Sequence, residues 1–132
     1  MCRTRPLEDF VYRISKQFHF SAAHQLDLLP EGHPCKRLHG HNYIVEIVLE
    51  AEKLDQRYFV ADYHELKPVK TFIDEHLDHR NLDEVIGTAS TAENIAKFFY
   101  DKFKPLFPAL SMVRVSETPK TWAEFFETPP AV

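Results

Sequence analysis

Three histidines in apolar, strand-like surroundings have the spacing of a shared metal site. His39 and His41 flank a glycine at the start of an apolar stretch, and His24 ends an earlier one. Alternate side chains of a strand project to the same face, so His39 and His41 would point together from positions about 6.6 Å apart along the backbone. Three neutral imidazoles with an open fourth position are typical of catalytic zinc, and they also suit iron, copper or nickel. Ordinary packing in the core is the alternative.

A cysteine lies four residues before the first histidine of this pair. Cys35 is followed by Lys36 and Arg37, and positive neighbours favour a thiolate. A thiolate beside a metal could act as a general base, or it could bind the metal as a fourth ligand. A buried thiol is more commonly inert. The residues alone leave these roles open.

Two acidic positions could handle protons or bind a ligand. Asp78 and His79 would follow a helix and could form a proton relay, although a histidine at a helix end is favourable in itself. Glu117 shares strand parity with Val113 and Val115, where an unpaired carboxylate would be costly. Its partner would be a Lys or Arg of the chain, or a ligand that presents two parallel N–H donors.

Two long strands would carry the histidines. Period-two alternation predicts a strand over residues 10–26, with His24 on the same side as Phe20. A second strand is predicted over residues 39–52, and most of its odd positions are apolar. A short apolar segment at 58–61 is predicted to complete a hairpin. The histidines would then enter the interior at one end of a sheet.

Two helices are predicted to follow these strands. A capping pattern and helical spacing predict the first helix over Asp62–Leu77, with Pro68 tolerated only close to its beginning. The second would begin with a capping box between Ser90 and Glu93. A wide apolar stripe carries that helix to about Leu106, next to the prolines that stop it.

The last elements complete a β-β-α-α-β-β order. A hairpin is predicted from strands at 111–117 and 121–127. This order predicts an α+β domain in which an antiparallel sheet carries two helices on one face. The edges and the second face of such a sheet would be uncovered, and proteins usually pair or protect such edges. We therefore expect the chain to form a homo-oligomer.

The length, net charge and composition of the chain limit the class of protein to which it can belong. The 132 residues fit a single domain over 1–132, with a flexible leader at 1–9 and a flexible tail at 128–132. A net charge of −4 gives no reason to expect nucleic acid, and no apolar run approaches the ~18 residues that span a membrane. Neither Cys2 nor Cys35 suggests a disulfide framework, and no signal peptide is evident, so we expect a reducing, cytoplasmic setting. Three glycines are too few for a phosphate-binding loop.

Six motifs, in this order along the chain, resemble the family of 6-pyruvoyl-tetrahydropterin and 6-carboxytetrahydropterin synthases. They are F-x-F-S-A-A-H at 18–24, E-G-H-x-C-x-R-L-H-G-H-N-Y at 31–43, D-Y-x-E-L-K at 62–67, L-D-H-R-N-L-D at 77–83, T-A-E-N at 91–94 and V-S-E-T at 115–118. The resemblance implies the tunnelling fold (T-fold), in which the sheets of several subunits join into an oligomeric β-barrel. It also implies a hexamer built from two trimers, with active sites at the subunit interfaces.

The resemblance implies a zinc site and a base beside it. His24, His39 and His41 would hold the Zn²⁺, and Cys35 would be the general base.

The resemblance also assigns the remaining site residues. Asp78 and His79 would form the proton relay and would reach in from a neighbouring subunit. Glu117 would anchor the amino-pyrimidinone edge of a pterin, with Thr91 and Glu93 nearby.

The position of the cysteine favours one branch of the family. Cys35 stands four residues before His39, which resembles the bacterial 6-carboxytetrahydropterin synthases of queuosine biosynthesis. Such an enzyme would convert 7,8-dihydroneopterin triphosphate to 6-carboxytetrahydropterin, acetaldehyde and triphosphate, and Arg37 would lie near the phosphates because of its charge. The alternatives are the 6-pyruvoyl-forming enzyme on the same scaffold and a non-enzymatic module that binds a metal or a pterin.

Overall fold

Two long antiparallel strands form the centre of the molecule. The computed structural model describes residues 11–128, in which strand β1 (Tyr12–His24) pairs with strand β2 (His39–Ala51) over the full length of both. These bounds confirm the two predicted histidine-bearing strands. The expected leader, the first residue of the first predicted strand, Cys2 and the residues after 128 lie outside the described part of the chain.

The remaining elements extend the sheet and cover one of its faces. In chain order they are 3₁₀ turns at Pro34–Lys36 and Tyr63–Leu66, helix α1 (Lys67–His76), strand β3 (Arg80–Asn81), helix α2 (Asp83–Ile86), helix α3 (Ala92–Phe103), strand β4 (Leu110–Ser116) and strand β5 (Ala123–Phe125). The five strands lie in the order β3-β1-β2-β4-β5. No helix among residues 11–128 has the length and apolar content needed to cross a membrane.

The helices cover one face of the sheet because each strand buries alternate side chains. Phe20 on β1 and Tyr43 on β2 face each other in register, and their rings stack with centroids 5.1 Å apart. Phe99 of α3 packs against Phe20 at 6.5 Å, and Phe72 of α1 packs against Phe99 at 6.2 Å. Burial of these apolar surfaces is the main force that holds the layers together. The prediction of an α+β fold with two main helices on one face is confirmed.

The other face of the sheet is polar. Gln17 donates a hydrogen bond to Glu46 at 2.9 Å, and Arg114 lies 3.4 Å from Glu46 and 3.1 Å from Glu124. The two faces therefore divide by chemistry, as period-two alternation requires. His24, His39 and His41 belong to the helix-covered face.

The sheet is mixed, so the expectation of a wholly antiparallel sheet is wrong in one place. After α1 the chain turns at His79, whose φ of 60° is left-handed, and β3 then runs parallel to β1 beside Ala22 and Ala23. A two-residue strand is too short to leave a periodic pattern in the sequence.

The predicted strand at 58–61 is also wrong, because that segment forms turns and bends. Asp55 organises it: its carboxylate accepts the backbone N–H groups of Arg57 at 2.8 Å and Phe59 at 3.1 Å. Tyr58 has a φ of 67°, a left-handed conformation that does not fit a strand.

The two predicted helix starts are correct in place and differ in detail. Asp62 caps a 3₁₀ turn, and α1 begins at Lys67 with Pro68 in its first turn, as the proline requires. Thr91, not Ser90, caps α3, because its hydroxyl accepts the N–H of Asn94 at 3.2 Å. The predicted capping box between Ser90 and Glu93 is therefore wrong.

Candidate metal centre

The three predicted histidines form one cluster at the end of the β1–β2 pair. Strand register places His24 opposite His39 and Ala22 opposite His41. One ring nitrogen from each histidine lies within 4.8 Å of the others. The structure thus brings together His24, His39 and His41, as the strand alternation predicted.

Backbone carbonyl groups orient two of the rings. His24 Nδ1 lies 2.7 Å from the carbonyl oxygen of Ser90, and His39 Nδ1 lies 2.7 Å from that of Arg37. A carbonyl oxygen only accepts, so both Nδ1 atoms carry hydrogen and both Nε2 atoms expose lone pairs. Those two Nε2 atoms are 2.9 Å apart. Two facing lone pairs repel each other unless a cation or a proton lies between them, so this geometry fits a metal ion.

The third ring supplies an unpaired nitrogen. His41 Nε2 is buried and has no hydrogen-bond partner among residues 11–128, and the Glu117 carboxylate lies 3.9 Å away. Burial lowers the pKa of His41, and proximity to His24 and His39 lowers it further, against the opposing effect of Glu117. A neutral imidazole is the form that binds metal. The three nitrogens therefore fit a divalent ion such as zinc, and two of the rings bind backbone carbonyl groups, as metal-binding histidines usually do.

A cavity of about 400 Å³ adjoins the cluster through Glu117. Thr91, Glu93 and Glu117 all line it, so three of the four predicted substrate-binding residues lie together. Within residues 11–128, no Lys or Arg nitrogen lies within 4.0 Å of the half-buried Glu117 carboxylate, which is therefore available to a ligand. A larger cavity of about 750 Å³ beside Arg13 and Lys104 contains none of the predicted site residues.

Cys35 lies in the 3₁₀ turn Pro34–Lys36 and is not among the residues that line the Glu117 cavity. Its carbonyl oxygen accepts the N–H of Leu26 at 3.1 Å, and Leu26 lines the cavity two residues beyond His24. Cys35 is half-buried, and among the described residues it does not belong to the group that could hold a metal ion, which is formed by the three histidines. The Lys36 ammonium is paired with Glu31 at 2.6 Å. Arg37 is exposed and is not among the residues that line the Glu117 cavity; its carbonyl group, not its guanidinium, contacts the cluster.

Asp78 and His79 form a pair at the outer edge of β1. Asp78 accepts the Ser21 N–H at 3.0 Å and lies 3.0 Å from His79 Nδ1. The Ser21 N–H is the main reason that the pKa of Asp78 is lowered, and the hydrogen bond from His79 lowers it further. The His79 side chain is 80% exposed. His79, but not Asp78, lines a cavity of about 540 Å³ that Asn42 of the polar face and His41 also line.

Sequence reasoning missed three residues around the cluster. Tyr43 is fully buried, its ring lies 5.5 Å from that of His41, and its hydroxyl group has no partner among the described residues. Burial is the main reason that the pKa of Tyr43 is raised, and the charges of Glu117 and Asp83 add to it. Tyr43 could have been found from its strand parity with the histidines. Ser90 acts through a backbone carbonyl, which leaves no trace in side-chain chemistry, and Asp83 ends the motif at 77–83, in which only Asp78 and His79 were considered as site residues.

Comparison with known proteins finds relatives that match most of the chain. A family model described as 6-pyruvoyl tetrahydropterin synthase matches residues 13–128. A 6-carboxy-5,6,7,8-tetrahydropterin synthase of Synechocystis sp. is 35% identical over 120 residues, which cover 86% of this chain and 92% of the relative. A dihydroneopterin monophosphate aldolase of Pyrococcus furiosus is 33% identical over 98 residues, 74% of this chain and 76% of the relative.

A solved structure gives the same result for the fold. The 6-pyruvoyl tetrahydropterin synthase of Caenorhabditis elegans superimposes with a TM-score of 0.77 at 30% identity. The match covers 89% of this chain and 96% of that one.

Proposed function

The chain belongs to the 6-pyruvoyl tetrahydropterin synthase family, and from that premise we propose that it is a zinc-dependent 6-carboxytetrahydropterin synthase. The proposed reaction converts 7,8-dihydroneopterin triphosphate and one water to 6-carboxytetrahydropterin, acetaldehyde and triphosphate, as a step of queuosine biosynthesis. Its redox change is internal, because the side-chain carbon next to the ring is oxidised while the dihydropterin ring is reduced. No external oxidant or reductant is needed.

The observation that carries this proposal is the contact between the histidine cluster and the acidic cavity. His41 Nε2 lies 3.9 Å from Glu117, and Thr91 and Glu93 line the same cavity. The amino-pyrimidinone edge of a pterin presents parallel N–H donors, which a carboxylate accepts in bidentate fashion. A pterin held in this way would extend its side chain beside the histidines.

The chain has residues for the other steps of the reaction. Zinc held by His24, His39 and His41 would act as a Lewis acid toward side-chain oxygens and so ease the removal of a proton from carbon. Cys35, whose carbonyl oxygen accepts the N–H of the cavity-lining Leu26, would accept that proton.

Asp78 and His79 would transfer protons between solvent and the substrate oxygens. The exposure of His79 supports this role, because a relay must exchange protons with water. Arg37, also exposed, would meet the triphosphate at the mouth of the site.

The unpaired edge of β1 supports the proposed assembly. Within residues 11–128, β3 pairs with the outer side of β1 only at Ala22 and Ala23. Long unpaired edges are normally covered in stable proteins. A homo-oligomer, which we propose to be a hexamer of two trimers joined through their sheets into a barrel, would cover this edge and would bring Asp78 and His79 towards a neighbouring subunit.

The choice of product rests on the cysteine position and is open to direct assay. Purified protein with Zn²⁺ and 7,8-dihydroneopterin triphosphate should release acetaldehyde and triphosphate in equal amounts. Release of triphosphate with a 6-pyruvoyl product and no acetaldehyde would favour the pyruvoyl-forming enzyme. Binding of a pterin without turnover would favour a non-enzymatic module.

The same assay tests the role of Cys35. Cys35→Ala should lower kcat by about 10²- to 10⁴-fold, the usual contribution of a general base, and should retain the metal. Leu28→Ala is a matched control, because Leu28 lies in the same loop and is 91% exposed. Full activity in Cys35→Ala would show that another group removes the proton.

A further inference from the structure

Asp83 connects the two segments that hold His24, and we propose that it is a positioning residue for the metal centre. One carboxylate oxygen accepts the Ser90 hydroxyl hydrogen at 2.7 Å, and the other accepts the Gln25 N–H at 2.9 Å. Gln25 directly follows His24 in the chain, and the Ser90 carbonyl accepts the Nδ1–H of His24 at 2.7 Å. The inference rests on the proposed metal site and adds a residue to it.

The carboxylate therefore acts on His24 from two sides. Through Gln25 it fixes the backbone just after the ligand, and through Ser90 it fixes the carbonyl group that sets the ring's tautomer. His24 and Ser90 are both fully buried, so water does not compete for the bond between them, whereas the Asp83–Gln25 bond is exposed. Partners that orient a metal-binding histidine commonly determine its affinity for the ion.

The segment that carries Asp83 is itself fixed to the end of β1. The Leu82 N–H donates to the carbonyl of Ala23 at 2.8 Å, and the Asp83 N–H donates to the Asn81 side chain at 3.0 Å. Residues 81–83 thus hold the backbone on both sides of His24. This arrangement also explains why Ser90 does not cap α3: its hydroxyl group is already bound to Asp83.

Two substitutions of Asp83 separate positioning from general stability. Asp83→Ala removes both hydrogen bonds. Asp83→Asn can retain both, because its amide oxygen can accept the Gln25 N–H while its NH₂ group donates to the Ser90 hydroxyl. A positioning role requires that the asparagine restore most of the metal affinity that the alanine removes.

The experiment is titration of the metal-free full chain with Zn²⁺ and with Co²⁺, whose absorption spectrum reports coordination geometry. We expect Asp83→Ala to weaken metal binding by about 10- to 100-fold, the usual range for an outer-shell partner. Asp83→Asn should bind within a few-fold of wild type. Ser90→Ala, which keeps the carbonyl but loses the hydroxyl, should weaken binding in the same direction. Asp101→Ala, which removes an exposed carboxylate paired with Lys97 on α3, should have no effect.

Each outcome decides the proposal. Wild-type affinity in folded Asp83→Ala would overturn it, as would equal losses in Asp83→Ala and Asp83→Asn. If circular dichroism shows that Asp83→Ala does not fold, Ser90→Ala decides, and unchanged affinity in that variant would overturn the inference. Failure of the wild-type chain to bind either ion would instead overturn the metal centre and the proposed function with it.

Discussion

The histidine cluster and the Asp78–His79 pair lie near the same end of β1, yet their surroundings are opposite. His24 is fully buried and is oriented by a backbone carbonyl, whereas the His79 side chain is 80% exposed. One chain thus completes the geometry of the cluster, while the pair is open to solvent or to another subunit. The contrast matches two tasks of the proposed site, which are the binding of a metal ion and the transfer of protons.

The two tasks have different physical requirements. Metal ligands must be neutral and fixed in place, and burial among hydrogen-bonded groups achieves both, as the lowered pKa of His41 illustrates. A proton relay must exchange protons with water during each cycle, so burial would isolate it. The difference in exposure between His41 and His79 is therefore what the proposed chemistry needs.

The largest effect should come from removing two ligands of the buried cluster. His39→Ala combined with His41→Ala should weaken zinc binding by more than about 100-fold, the upper range for outer-shell changes, and should abolish turnover. Zinc content per chain, measured after dialysis, checks this. The matched control replaces His64 and His76, both exposed, and should retain the metal. Unchanged zinc content in the first variant would place the metal elsewhere.

Replacement of Glu117 should have an intermediate effect, because we propose that this residue holds the substrate rather than the metal. Glu117→Gln keeps the shape but loses a charge-assisted interaction that contributes about 1.5–3 kcal/mol, so KM should rise roughly 10- to 150-fold. Zinc content should be unchanged. Glu75→Gln, on the exposed side of α1, is the control. A fall in kcat at constant KM would instead assign Glu117 to the chemical step.

The smallest effect is on stability and concerns the Asp78 carboxylate of the exposed pair. The pKa of Asp78 is lowered in the folded state, mainly by the Ser21 N–H, so its ionised form stabilises the fold at neutral pH. This contribution is complete above the unfolded carboxyl pKa of about 3.9 and is lost as the pH falls through the lower folded value. The Tm advantage of wild type over Asp78→Asn should therefore be largest near pH 7 and shrink in acid. A constant difference across this range would contradict the assignment, and Asp27→Asn, in an exposed loop, is the control.

Local patterns predict the buried region well, because strand alternation alone places His24, His39 and His41 on one face. The same logic predicts the parity of Glu117. The sequence could not show that Ser90 would bind Asp83 and leave the capping of α3 to Thr91, because that choice depends on a tertiary contact.

Short elements and polar turns account for the other differences. Strand β3 and helix α2 span two and four residues, too few to establish a period. Residues 58–61 have the composition of a strand, but the side chain of Asp55 binds the backbone of that loop and holds it in turns. These segments were therefore less predictable than the long strands, because their conformation depends on contacts with other parts of the chain.

In the proposed assembly, one chain completes the buried half of the site while a neighbouring chain supplies the exposed half. Subunit complementation tests this directly. Cys35→Ala and His79→Ala, each inactive alone, are unfolded together, refolded as mixed oligomers and assayed for acetaldehyde. We predict that activity returns, because some sites combine an intact Cys35 from one chain with an intact His79 from another. Mixed oligomers that stay as inactive as the separate variants would show that both residues act within a single chain.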